Sequence, residues 1–190
     1  DFNKRYWVLL FMKSIYLNDI KQKELIVHQA NTGYYKIFDR LIFPYIRQSD
    51  IEFWTRIQCL QMCQVEKQSS KVYLFYDKFF ILNHCLTTDT KDSNIYEFEL
   101  NLNLSKGLTE AQIRFYAFNE IIFFITRYKS LLNLVKCYEQ LKKQLSEDDC
   151  IKLFNHSKLT TKIFINLVGS SETSYHSSRG KTPLEEPCDG

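Results

Sequence analysis

Cys59 and Cys63 stand four residues apart, and His84 adjoins Cys85, so these four side chains are the first to ask about zinc or thiolate chemistry. On a helix, Cys59 and Cys63 share a face. A structural zinc site uses tighter pairs, two cysteines separated by two residues, and no such pair occurs in the sequence. Core packing is the simpler role for these thiols, because free cysteine behaves as a small hydrophobe. As a nucleophile, Cys85 would need His84, or a distant His28 or His156, as its base. Adjacent residues on a helix or strand point apart, so His84 is poorly placed to activate Cys85. The sequence holds no nucleophile elbow, no HExxH and no CxxC.

Phosphate chemistry fares no better. Loops that cradle phosphates need several glycines, and the chain has only 5, of which Gly33 and Gly107 fall within the expected fold. Gly180-Lys181-Thr182 imitates the end of a P-loop, but Tyr175 occupies the position of the earlier glycine and no strand pattern precedes it. The sequence therefore points to a non-catalytic chain with no metal and no cofactor. Thr182-Pro183, beside Ser177 and Ser178, suits a proline-directed kinase, although such dipeptides are common.

Binding chemistry remains. Tyr34, Tyr35, Lys36 and Arg40 interleave rings with charge, and Arg127, Lys129 and Lys136 lie along a helical stretch. Rings that stack and cations that meet phosphate are the tools of a nucleic-acid surface. Asp39, Glu52 and Glu139 dilute each of these clusters, so a protein partner is the better fit. Tyr34, Tyr35, Arg40 and Tyr128 are the candidate anchors, because aromatic and arginine side chains dominate protein interfaces.

The elements that would position these residues read mainly as helices. Tyr6 to Tyr16 is apolar on nearly all sides, and Asn18-Asp19 can open a second helix through Leu25, Ile26 and Val27. Asn31-Thr32-Gly33 reads as a stop, and Tyr34 to Arg47 as a helix that Pro44 kinks or ends. Ser49 and Glu52 have capping-box spacing before Phe53, Ile57, Leu60 and Cys63. Lys71 to Leu86 reads either as one helix or as two strands turning at Asp77-Lys78. Tyr96 to Leu104 alternates apolar and polar, the period of a half-buried strand, with Thr161 to Val168 as a candidate antiparallel partner; the competing reading is a helix with Asn94 and Glu97 as its capping box and Gly107 as its end.

The clearest signal follows. Thr109 and Gln112 form a capping box, with Leu108 and Ile113 placed as a staple. Ala117, Ile121, Phe124, Tyr128, Leu131, Val135 and Tyr138 then recur at helical spacing, with a second stripe at Phe115, Phe118, Ile122 and Ile125. One long central helix, with a break open at Lys129-Ser130, would be the spine. Ser146 opens another short helix, with acidic residues in its first turn. From Gly169 the chain turns Ser/Thr-rich, the composition of a disordered tail.

The expected fold is thus mainly α: a single helical domain over residues 1–168 around one central helix, then a disordered tail over 169–190. A small antiparallel β element accompanies the helices, and α+β is the alternative class. Apolar residues make up 45% of the 190, enough for a sizeable core, and 15 Phe with 12 Tyr fill volume quickly. The net charge is +3, with −2 in the tail and so +5 before it, both signs interspersed. No stretch reaches the roughly 18 apolar residues of a membrane span. The 6 cysteines read as reduced thiols of an intracellular protein, cytoplasmic or nuclear. Asp1, with an apolar run close behind it, reads as a boundary within a larger protein. Function is expected to be protein–protein interaction or scaffolding without catalysis, with a nucleic-acid-binding module as the alternative.

Overall fold

The computed structural model describes residues 12–16, 24–46, 50, 53, 63–67, 72–80, 82–83, 97–101 and 108–181. Helix predominates among them. The chain divides into two compact units, residues 1–32 with 48–117 and residues 33–47 with 118–190. The expected boundary after residue 168 is not one of these divisions.

The first unit is built on a five-stranded sheet: β1 (Met12–Tyr16), β2 (Glu24–Val27), β3 (Cys63–Lys67), β4 (Val72–Phe75) and β5 (Glu97–Asn101), in the order β1-β5-β3-β4-β2. β1 runs antiparallel to β5, with Ile15 opposite Phe98, and β3 antiparallel to β4, with Glu66 opposite Leu74. β2 pairs parallel with β4 and β3 parallel with β5. The sheet is therefore mixed, not the antiparallel element expected. β5 matches the alternation read in the sequence. Its expected partner does not, because Thr161–Leu167 is a helix.

Two expected helices are strands where the structure describes them. Met12–Tyr16 and Glu24–Val27 both pair in the sheet. Segments of four or five residues are too short for helix and strand periodicity to differ, and the β-branched Ile15, Ile26 and Val27 favour the strand. Cys63 likewise starts β3 rather than closing the helical stripe from Phe53; Asp50 and Phe53 are helical, and Ile57 and Leu60 lie outside the described residues. Residues 72–83 combine both readings of that stretch. β4 ends in a turn at Tyr76 to Lys78, where Lys78 takes φ 61°, and residues 79–80 and 82–83 are helical.

Asn31 ties this unit together. Its side-chain amide donates to the Tyr76 carbonyl at 2.6 Å and the Ile113 carbonyl at 3.0 Å, and the residue is fully buried. His28 adds a backbone bond to the Phe75 carbonyl at 2.9 Å and an edge contact with the Tyr76 ring. Asn31-Thr32-Gly33 does not stop a helix. Gln29–Asn31 is a 3-10 turn, and α1 (Thr32–Ile37) starts at Thr32.

α1 runs on into a π turn (Phe38–Ile42) and a 3-10 turn (Phe43–Tyr45) carrying Pro44. Proline's missing N–H is what loosens the helix there. α2 (Glu110–Tyr128) follows, and the division between the units falls within it, after Ala117. Its start is the capping box read in the sequence: Thr109 Oγ1 accepts from Gln112 N at 3.3 Å and Gln112 Oε1 from Thr109 N at 2.8 Å. The helix spans 19 residues, so the long spine is not continuous. Residues 129–132 form a turn at the Lys129-Ser130 break, and α3 (Leu134–Gln144) begins afresh under an Asn133 cap.

The second unit packs α2 from Phe118 onward with α3, α4 (Glu147–Phe154), α5 (Thr161–Leu167) and α6 (Glu172–Ser177). Its core is aromatic. The Phe38 and Phe124 rings meet edge-on at 5.2 Å, Phe124 stacks on Tyr128, and Phe118 meets Phe154 at 5.9 Å. Ile121, Phe124, Leu141 and Phe164 are wholly buried, which is where most of the stabilisation arises. Ser146 and Asp149 complete a reciprocal box at the start of α4, and Asn155 ends it in the left-handed conformation.

The stretch after Val168 departs from expectation. Composition suggested disorder from Gly169, yet Glu172–Ser177 is helical, Ser178–Gly180 forms a 3-10 turn, and Tyr175 and Ser178 are buried. The compositional rule missed that one ring and one hydroxyl suffice to seat a short polar segment. Residues 182–190, with Thr182-Pro183, lie outside the described residues.

Candidate functional site

The four candidate anchors divide by burial. Tyr34 keeps 1% of its surface and Tyr128 7%, so both rings belong to the core of the second unit and are closed to a partner. Helical spacing already hinted at this for Tyr128, the last member of the main apolar stripe of α2. Tyr35 is half-buried, and Arg40 is exposed in the π turn beside exposed Asp39. Burial raises the Tyr35 phenol above its ordinary value, and the Asp39 charge adds to the rise. The phenol is therefore neutral at physiological pH.

Phe123 was missed and stands out once the helix is built. It lies on α2 within the second unit, with 50% of its surface exposed. Its ring packs edge-on against Phe124 at 5.3 Å. Around it on the same helical face come Asn119 four residues before, Thr126 three after and Arg127 four after, all exposed. Thr126 turns its hydroxyl back to the Ile122 carbonyl at 2.8 Å, leaving a methyl toward solvent. An exposed ring one turn from an exposed guanidinium is a side-chain pair that interfaces favour. The sequence did carry the signal, because Phe123 is the one aromatic of residues 117–128 on neither apolar stripe.

Lys129, Cys137 and Cys150 hold local structure. Lys129 donates to the Val168 and Gly169 carbonyls, closing the C-terminal end of α5, where Gly169 takes φ +58°. Cys137 is buried, and burial pushes its thiol up to about 12, so it carries no thiolate at neutral pH. Cys150 is buried and raised in the same direction. Both cysteines are free thiols.

Among the described residues no three His, Cys, Asp or Glu side chains converge as a metal site would need. Cys59, Cys85, Cys188 and His84 lie outside the described residues. No described helix is long and apolar enough to cross a membrane. Comparison with known proteins gives no match to a family model, to a curated protein or to a solved structure.

Proposed function

We propose that the chain is a non-catalytic binding module for another protein, and that Phe123 and Arg127 on α2 are the anchors of its docking face. The observation that carries this is Phe123 itself, a large apolar ring held half in water opposite the buried Ala117, Phe118, Ile121 and Ile125 of the same helix. A partner that covered its exposed half would recover roughly half the transfer free energy of a buried Phe side chain, about 1 kcal/mol. Arg40, the exposed member of the anchors read from the sequence, offers a second cation in the same unit.

The test is a matched capture experiment. The full chain and a Phe123→Glu variant, both checked for equal helical content, are used as baits in the same extract. Proteins held by the parent chain and lost from the variant by at least tenfold support the reading. Identical captured sets from both baits refute it. Should the captured material be nucleic acid whose retention falls steeply with salt, the alternative module would take its place.

A further inference from the structure

We propose that residues 171–181 form a displaceable strap, and that the seat beneath it accepts a partner segment bearing a tyrosine and, three residues on, a serine. The strap buries very little of itself. Between Glu172 and Lys181, only Tyr175 and Ser178 are buried, while Glu172, Thr173, Ser174, His176, Ser177, Arg179 and Gly180 are exposed. Three residues apart on one helical turn, Tyr175 and Ser178 face the same way.

The two buried side chains meet a seat of complementary shape and chemistry. The Tyr175 ring sits edge-on to Tyr138 of α3 and to Phe164 of α5, each 6.2 Å away, and these two rings lie 5.6 Å from one another. The Ser178 hydroxyl accepts from Leu134 N at 2.9 Å, one of the unpaired N–H groups at the start of α3, and donates to the Tyr175 carbonyl at 2.6 Å. Two backbone carbonyls complete the docking: Asn133 donates to Arg179 O at 2.8 Å, and Lys181 donates to Ser130 O. The Asn133 contact meets only strap backbone, whereas Lys181 uses its ammonium and the Tyr175 phenol adds a side-chain hydrogen bond with Thr161. The buried Tyr-x-x-Ser pair is thus the centre of what the seat recognises, with a cation at its end.

Release leaves the seat standing. Asn133 caps α3 through Lys136 N at 3.0 Å without help from the strap, and Lys129 holds the end of α5 at the Gly169 hinge. Displacement therefore exposes two rings and one N–H on a fixed frame, a ready site for a second segment of the same pattern. The chain's own segment then acts as a built-in competitor.

This inference rests on the reading of the chain as a protein-binding module, but its test is separate from Phe123. Hydrogen exchange on the full, unmodified chain is expected to show amides of residues 174–178 exchanging at least tenfold faster than those of α3. Equal rates would mean that the strap opens only when the unit unfolds, and would overturn the proposal. A labelled peptide with the sequence of residues 170–181 is then titrated against the full chain and against its Tyr175→Ala variant. Binding to the variant at least tenfold tighter than to the parent, and lost when the peptide's own tyrosine is replaced by alanine, is the expected result. Binding to neither, or to both alike, would overturn it. A negative result here with Phe123-dependent capture intact would remove the strap alone.

Discussion

The two units hold together by different means. In the first, strands up to about ninety residues apart in sequence pair through their backbones, and Asn31 joins the turn after β4 to α2 by side-chain bonds. In the second, helices that follow one another in the chain from Phe118 onward pack through rings and capped termini. Sheet stability depends on partners a local sequence window does not contain, whereas each helix carries its own start, stop and apolar face.

The largest test of this contrast is to open the aromatic core of the helical unit. Phe124→Ala should cost about 3–5 kcal/mol, read from urea unfolding, because a wholly buried ring leaves a cavity its neighbours cannot close. A loss under 1 kcal/mol would mean that packing is not what holds this unit.

Asn31→Leu probes the other unit. It strands the Tyr76 and Ile113 carbonyls in a buried place and should cost about 2–3 kcal/mol. Exchange of the β4 and β2 amides should accelerate with it. An unchanged exchange pattern would show that the strands do not depend on this link.

A third test uses pH. The Cys137 thiol is raised by burial to about 12, so the unfolded chain loses this proton before the folded one does. Stability from this group is complete below the ordinary thiol range and declines as pH climbs toward 12, by roughly 1.4 kcal/mol per pH unit at most. Burial raises Tyr175 and Tyr45 as well, which adds to the decline above their ordinary range. Thiol reagents should leave Cys137 unlabelled in the native protein at pH 8 and label it in urea. The smallest effect is Ser146→Ala, which removes the reciprocal cap of α4 and should cost about 1 kcal/mol.

What could be read from the sequence followed the same line. The Thr109–Gln112 box, the burial of Ala117, Ile121, Phe124 and Tyr128, and the Ser146 start were all legible because their determinants lie within four residues. The alternation of β5 favoured a strand over the competing helix, but its neighbours β1 and β3 were not legible, because they depend on residues 12–16 and 63–67. Met12–Tyr16 and Glu24–Val27 read as helix in the sequence because four or five residues, with two or three aliphatic side chains each, are too few to show a period. Tyr34 and Tyr128 were chosen as anchors for their chemistry, and burial removes both. Phe123 needed only the question of which aromatic the helical stripes leave out.

The reading as a binding module stands or falls at that ring. A photo-reactive phenylalanine analogue placed at position 123, with a matched probe at exposed Lys158 as control, reports directly on what touches the α2 face. The account predicts a light-dependent cross-link to one dominant protein from position 123 and none from 158. Equal, diffuse cross-linking from both positions would contradict it.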